Sequence, residues 1–109
     1  MRYIITESQF DNVIFSFLDS QEFTIKESKD SFYFTDNPSS NDGIILYWKE
    51  SGLCTINYEI ISLISSLFSL TEFESQELIG EWVENKLGLD VNETSAFDDM
   101  GYLIVKKTH

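Results

Sequence analysis

The segments FTIKESKDSFYFT (residues 23–35) and IILYWKESGLCTINY (residues 44–58) decide the fold of this chain. In both segments apolar residues recur at every second position, which is typical of β-strands that bury one face. The strands are joined by short polar turns, or by one polar loop over residues 36–43, and such links are too short to carry parallel crossovers. We therefore predict an antiparallel meander of four strands.

Apolar residues at helical spacing predict three helices around this meander. The first covers residues 7–19, and the second begins near residue 60 with apolar side chains on one side and serines on the other. The third extends from a capping box formed by Thr71 and Glu74 to a C-cap at Gly88. Because each helix has a single apolar side, we expect all three to pack mainly on one face of the sheet.

The predicted architecture is an α+β fold in the order α-ββββ-αα-β. A short strand near residues 89–91 and a last strand over residues 102–105 follow the third helix, so the antiparallel sheet has about four to six strands. The chain has 109 residues, of which 42% are hydrophobic, and it contains no repeat or linker. This length and composition suit one folded domain that spans residues 1–109.

The charge of the chain restricts its partners. Nineteen acidic residues against seven lysines and arginines give a formal net charge of −12. A field of this sign repels a phosphate backbone, so we expect no direct nucleic-acid binding. The expected partner is another protein with a basic surface, such as one that normally holds nucleic acid. The alternative is that the charge serves only solubility.

Part of this charge forms a stripe on the third helix. At 100° per residue, four glutamates fall within an arc of about 80°. They stand roughly 5 to 6 Å apart along the helix axis, close to the phosphate spacing of a DNA strand. The stripe is interpreted either as a solvated helix face or as a surface that binds a basic groove on a partner. Its members are Glu74, Glu77, Glu81 and Glu84.

The sheet offers a second candidate surface. Strict alternation along the strands places Tyr33, Ile45, Tyr47 and Lys49 on the side that faces away from the helices. Tyr and Thr suit any half-exposed sheet surface, but tyrosine is also favoured in protein interfaces. This side of the sheet is therefore a candidate contact for a partner or for a homo-oligomer.

We expect no enzymatic activity, because no group of residues in the sequence supplies catalytic chemistry. The one histidine is the terminal His109, and the one cysteine, Cys54, is expected to be a small buried hydrophobe. There is no G-x-S-x-G turn, no glycine-rich phosphate loop and no zinc ligand set. The calcium-like segment over residues 90–94 lacks the glycine and the glutamate that such a loop needs further on. We predict no catalytic residue, no metal and no cofactor.

Two residues of the third helix have a predicted structural role. Gly80 lies on its apolar side, where the missing side chain would let the helix approach the sheet closely. Trp82 lies on the same side and is expected to fill the core.

The expected location is the cytoplasm. Glu7 and Asp11 interrupt the first apolar stretch, so it does not have the form of a secretory signal. The most apolar run, residues 60–70, is well short of the ~18 residues that span a bilayer. We therefore expect no membrane association.

The opening run MRYIITESQ (residues 1–9) resembles the start of many small uncharacterised proteins from bacteriophages and environmental bacteria. The resemblance implies a phage origin, and hence action in the host-cell cytoplasm, but no activity and no site residues. The leading hypothesis is a non-enzymatic acidic interaction module, in the form of a phage-encoded inhibitor or accessory factor that binds a host protein. The alternative is a structural or virion-type assembly protein, and the third hypothesis is a small ligand-binding domain or enzyme.

Overall fold

The computed structural model describes residues 7–37, 39, 43–98 and 103–104, of which residues 7–10, 103 and 104 are described by their backbone alone. The α+β class and the predicted order of elements are confirmed. The elements are α1 (Glu7–Ser20), β1 (Thr24–Glu27), β2 (Ser31–Thr35), β3 (Ile45–Trp48), β4 (Leu53–Asn57), α2 (Tyr58–Phe68), α3 (Glu72–Leu87), β5 (Glu93–Phe97) and β6 (Leu103–Ile104).

The strands form one sheet in the order of the chain, β1-β2-β3-β4-β5-β6. The meander β1 to β4 is antiparallel, as predicted, and so is the β5–β6 pair. The β4–β5 pair is parallel, because α2 and α3 lie between these strands and return the chain to the end of the sheet where β4 began. The sheet is therefore mixed, with one parallel pair.

The fifth strand lies later in the chain than the sequence indicates. The predicted strand at residues 89–91 is coil, and β5 covers Glu93–Phe97, in a segment expected to be a polar loop. This strand is polar because only Thr94 and Ala96 point to the helices, while parallel pairing with β4 supplies its backbone hydrogen bonds. The two residues of β6 fall inside the predicted last strand. The rest of that strand, and most of the opening run over residues 1–9, lie outside the described residues.

The core lies on one side of the sheet. A register row crosses the four central strands through Phe34, Ile45, Ile56 and Ala96, all of which are buried. The buried residues of the helices belong to the same hydrophobic cluster, so the predicted placement of the helices on one face holds. These helix residues are Ile14, Leu18, Ile60, Ile61, Ile64, Ile79, Trp82 and Val83.

The predicted facing of β3 is wrong. Ile45 is 0% exposed and Tyr47 is 5% exposed, and both point into the core. The Tyr47 hydroxyl donates a hydrogen bond to the Asp90 carbonyl at 2.8 Å. All five residues of the run over 44–48 are apolar, so the alternation carries no polar contrast from which the buried side could be identified. Leu46 and Trp48 take the outward positions instead.

Of the other two predicted sheet-face residues, only one lies where it was expected. Tyr33 pairs in register with Lys26 and Leu46 on the side away from the helices. Lys49 follows the end of β3, and its Nζ lies 2.6 Å from Glu27 Oε2 and 4.9 Å from the ring centroid of Phe32. Phe32 pairs with Tyr47 on the core side, so Lys49 does not belong to the outward surface.

Trp82 joins α1, α3 and the sheet, which confirms its predicted place in the core. It is 3% exposed, and its ring packs on Phe34 and Phe23 with centroid distances of 5.3 and 6.0 Å. Its Nε1 donates a hydrogen bond to Asp19 Oδ1 at 3.0 Å, and Lys86 Nζ lies 2.6 Å from the same oxygen. The end of α1 is thus tied to the last turns of α3.

α3 approaches the sheet closely at Gly80, as predicted. A Cβ atom built on Gly80 would stand 2.6 Å from Thr94 Cγ2, closer than real Cβ contacts. Any side chain at this position would therefore push α3 away from β5.

We expect Gly80→Ala to destabilise the protein by about 1–3 kcal/mol, the usual cost of overpacking a core. This change is informative because alanine is favoured over glycine in a helix interior by about 1 kcal/mol, so propensity alone predicts the opposite sign. The free energy of unfolding in urea measures the effect.

The matched control is Thr94→Ser, which removes the crowding methyl group and keeps the hydroxyl. In that background Gly80→Ala should cost much less. Stabilisation by Gly80→Ala in the unmodified protein would contradict the close approach.

The contact of Asp19 with α3 should make the free energy of unfolding depend on pH in acidic solution. Hydrogen bonds from Lys86 and Trp82 lower the pKa of Asp19 from 3.8. A carboxyl whose pKa is lower in the folded state stabilises the protein above its unfolded pKa, and this contribution is lost as the pH falls through the folded value. We expect Asp19→Asn to lower the free energy of unfolding near neutral pH, and this difference to shrink below about pH 4.

The effect should be small and sensitive to salt, because the Asp19 carboxyl is largely exposed. A double-mutant cycle with Lys86→Met is the control, since Asp19→Asn should cost less once the ion pair is gone. A difference between the variant and the unmodified protein that does not change with pH would contradict the role of the charge.

Candidate functional site

A groove lies between α3 and the start of β5, and three of the four stripe glutamates line it. We call it the α3–β5 groove. Its volume is about 310 Å³. The residues that line it are Phe73, Glu77, Gly80, Glu81, Glu84, Val91, Asn92, Glu93 and Thr94.

The N-terminus of α3 is positioned by the predicted capping box. The Thr71 amide donates to Glu74 Oε1 at 2.9 Å, and the Glu74 amide donates to Thr71 Oγ1 at 3.0 Å. At the other end Gly88 has a left-handed backbone, and its amide donates to the Glu84 carbonyl at 2.8 Å. Glu74 therefore serves the helix end and does not line the groove, although the sequence placed it in the same stripe.

Two other stripe carboxylates are held in place by neutral donors. Thr94 Oγ1 donates to Glu77 Oε2 at 2.8 Å, and the Val91 amide donates to Glu84 Oε2 at 2.8 Å. Gln76 Nε2 donates in turn to Thr94 Oγ1 at 3.0 Å. These hydrogen bonds orient the carboxylates toward β5 and the loop before it, but they do not neutralise their charge. The stripe is thus more ordered than a freely solvated helix face.

The charged residues that line the groove in the described part of the chain are all acidic. Glu77, Glu81, Glu84 and Glu93 line it, and no lysine or arginine is among its lining residues in the described part of the chain. The one basic residue of α3, Lys86, is paired with Asp19 beside Trp82. A site with this charge attracts cationic groups and repels phosphates.

The groove also includes an exposed aromatic residue that the sequence reasoning missed. Phe73 is 68% exposed and lines the groove together with Glu77, which lies one turn later on α3. The helical repeat does indicate this exposure. The residues three and four positions after Phe73 are polar, so the ring lies on the same polar side of the helix. An exposed ring beside carboxylates suits the stem or the cationic head of a lysine or arginine.

The outward side of the sheet is the second candidate surface. We call it the outer sheet face, and Tyr33 is the one predicted residue of Tyr33, Ile45, Tyr47 and Lys49 that lies on it. Trp48 is 37% exposed, and its Nε1 donates to Thr55 Oγ1 at 3.3 Å. The other apolar members are Leu46, Leu53 and Phe97, all partly buried.

The described residues include no group of three or more His, Cys, Asp or Glu that could hold a metal ion. The calcium-like segment does not form a loop, because Glu93 and Thr94 belong to β5. No helix in the described part of the chain has both the length and the apolar character to cross a bilayer. His109 lies outside the described residues.

Cys54 is buried on the core side of β4, as expected, and burial raises its pKa to about 12. The thiolate is the reactive form of cysteine, so the folded protein presents no nucleophilic sulfur at neutral pH.

A thiol-specific disulfide reagent should therefore label Cys54 slowly in the folded protein and rapidly in denaturant, by about the factor by which unfolding is disfavoured. Absorbance of the released thiolate measures the rate. The control is the same reaction near pH 9, where a free thiol reacts faster but a buried one is still protected. Rapid labelling of the folded protein would contradict the burial.

The α3–β5 groove and the outer sheet face are thus two candidate binding surfaces among the described residues. The groove is acidic, with an aromatic residue among its lining, and the outer face mixes apolar residues with threonines and serines. Comparison of the chain with protein-family models, with curated proteins and with solved structures found no match.

Proposed function

We propose that this protein is a non-enzymatic acidic interaction module that binds a basic surface of another protein through the α3–β5 groove. One observation carries the proposal: four glutamates line the groove with no lysine or arginine among the lining residues. Two of these carboxylates are oriented in advance by hydrogen bonds from Thr94 and Val91. Side chains that are already ordered lose less conformational entropy when a partner binds.

The charge pattern supports a partner that normally holds nucleic acid. Glu77, Glu81 and Glu84 form a row of negative charges about 4.5 to 6 Å apart along the helix axis, of the same sign as a phosphate backbone. A basic groove that accepts phosphates would accept these carboxylates in their place. With the resemblance of residues 1–9, this favours a phage-encoded inhibitor or accessory factor that acts on a host protein in the host cytoplasm.

Phe73 adds an apolar contact to the charged ones. Exposed ion pairs contribute only about 0–1 kcal/mol each, and salt screens them. A lysine ammonium or arginine guanidinium placed over the Phe73 ring would add a contribution of about 0.5–1 kcal/mol at an exposed site. Binding should therefore weaken as salt rises, without disappearing at once.

The double variant Glu77→Gln/Glu81→Gln tests this function. Glutamine keeps an acceptor oxygen for Thr94, so the fold should be retained while two charges are lost. Glu84 is left unchanged because its carboxylate accepts the Val91 amide. We expect the affinity for the basic partner to fall about tenfold, the equivalent of 1.4 kcal/mol. The measurement is affinity capture from host lysate over a salt series, then calorimetry with the captured protein.

The matched control is Glu22→Gln/Glu50→Gln, which removes the same net charge at exposed positions that do not line the groove. This control should keep the affinity of the unmodified protein within about twofold. Equal loss in both double variants would assign the binding to net charge alone, and no loss in either would refute the groove.

A second candidate function, a structural or assembly protein, is supported by a different observation. The outer sheet face presents Trp48, Leu46 and Tyr33 side by side on the central strands. Trp48 is 37% exposed, and an exposed tryptophan suits a contact with another protein surface.

A further inference from the structure

A cleft opens between two hairpin turns at one end of the sheet. The β1–β2 turn and the β3–β4 turn lie side by side there, since the Lys49 amide donates to the Asp30 carbonyl at 3.0 Å. The cleft has a volume of about 730 Å³, within the range of about 300–1,000 Å³ that is usual for ligand pockets. We call it the hairpin cleft. Its lining residues are Lys29, Asp30, Trp48, Lys49, Glu50 and Ser51.

Trp48 gives the hairpin cleft an aromatic wall. Its side chain is 37% exposed and lies on the side of the sheet opposite the core. The Nε1 atom donates a hydrogen bond to Thr55 Oγ1 at 3.3 Å, so the ring leans along β4 and is held in one orientation. A ring that is ordered before binding loses little conformational entropy when a ligand stacks on it.

The other side chains that line the cleft are polar. The ammonium groups of Lys29 and Lys49 are hydrogen-bond donors, and the second of them is already paired with Glu27. The carboxylates of Asp30 and Glu50 are acceptors. Within the described part of the chain, no hydrogen bond or ion pair engages the side chains of Lys29, Asp30 and Glu50. Donors and acceptors therefore surround the ring and are available to a ligand.

The charges favour a neutral ligand. The net charge of −12 repels nucleotides and other phosphates. The two lysines oppose a cation, which would have to approach both ammonium groups. With two charges of each sign, the lining selects no ion. A neutral ligand that carries many hydroxyls can use both kinds of group, because each hydroxyl is a donor and an acceptor.

A sugar ring has the shape that the tryptophan requires. A pyranose of glucose configuration carries its hydroxyls around the rim and C–H groups on both faces. These C–H groups are weakly positive and therefore suit the negative face of an indole ring. An open-chain polyol has the same hydroxyls but no such face. The aromatic wall thus favours a ring over a chain.

We infer that the hairpin cleft binds a neutral oligosaccharide of glucose configuration, with one pyranose ring stacked on Trp48 and its hydroxyls bonded to Lys29, Asp30 and Glu50. This site goes beyond the proposed function, because the cleft shares no lining residue with the α3–β5 groove. The chain then carries two independent sites, one for a basic protein surface and one for a neutral glycan.

Titration with three trisaccharides tests the inference. The probes are cellotriose, maltotriose and triacetylchitotriose, each added up to about 10 mM so that a Kd of about 1 mM is measurable. The readout is the pair of indole N–H signals in a proton–nitrogen correlation spectrum. At least one probe should shift the signal of Trp48. The signal of Trp82, which is 3% exposed and bonded to Asp19, should stay in place.

Substitutions separate stacking from hydrogen bonding, with the backbone amide signals of the β3–β4 turn as the readout. Trp48→Ala should weaken binding at least about tenfold, whereas Trp48→Phe keeps a ring and should weaken it less. Asp30→Ala should weaken binding about threefold to tenfold, because it removes an acceptor. In each variant an unchanged Trp82 signal shows that the core is intact.

The matched control variant is Phe73→Ala, which removes a more exposed aromatic residue, 68% exposed, from outside the cleft. It should leave the affinity for the trisaccharide within about twofold. The matched control ligand is glucitol, which has the hydroxyls without the ring and should not shift the Trp48 signal.

The inference is overturned if none of the three trisaccharides shifts the Trp48 signal, or if Phe73→Ala weakens binding as much as Trp48→Ala. A larger shift with tetramethylammonium than with any trisaccharide would also overturn it and would assign the cleft to cations. Trp48→Ala should still be captured by the basic partner, so failure of the sugar site and failure of the proposed function are distinguishable.

Discussion

The contact between Gly80 and Thr94 is the constraint on which the rest of the structure depends. Without a side chain at Gly80, α3 lies directly on β5, and Thr94 takes the space that a Cβ atom would occupy. On the same helix Ile79, Trp82 and Val83 are buried in the core. The close approach leaves Glu77 and Glu84, about one turn to either side of Gly80, within hydrogen-bonding distance of the strand and of the loop before it. One small residue thus sets both the packing of α3 and the shape of the groove.

The hydrogen bonds along the contact between α3 and β5 explain how the helix stays stable despite its acidic stripe. Like charges at three- and four-residue spacing destabilise a helix by about 0.2–0.5 kcal/mol per pair. Glu74 offsets this cost by capping the helix, while Glu77 and Glu84 accept hydrogen bonds from β5 and its preceding loop. These hydrogen bonds offset the repulsion between neighbouring glutamates. The stripe is therefore compatible with a stable fold and is still available, as negative charge, to a partner.

The two sides of the sheet are suited to different contacts. The helix side presents an acidic groove whose charge acts over about a Debye length. The outer face has Trp48, which is 37% exposed, on its central strand β3, with Leu46 and Tyr33 beside it. Contacts of the first kind are sensitive to salt and select for basic surfaces, whereas contacts of the second kind depend on shape and apolar area.

Local patterns in the sequence were sufficient for the helices and the meander. The ends of α3 were predicted from Thr71, Glu74 and Gly88, because helix caps depend on neighbouring residues alone. The short turns required the strands from β1 to β4 to be antiparallel neighbours. The glutamate stripe and the apolar side of α3 followed equally from the helical repeat.

Tertiary structure decided the features that depend on distant residues. The facing of β3 was undetermined because all five residues at 44–48 are apolar, and pairing with Phe34 and Ile56 placed Ile45 inside and Trp48 outside. β5 was not predicted because its polar sequence has little strand propensity. It forms a strand only because it pairs with β4. The groove followed from β5, since Thr94 and Glu93 meet the stripe only when that strand lies beside α3. The sequence by itself determined which side of α3 is acidic, because a helical repeat specifies the direction of each side chain around the helix axis. The tertiary structure decided what that side faces, because the repeat does not specify the neighbouring element in that direction.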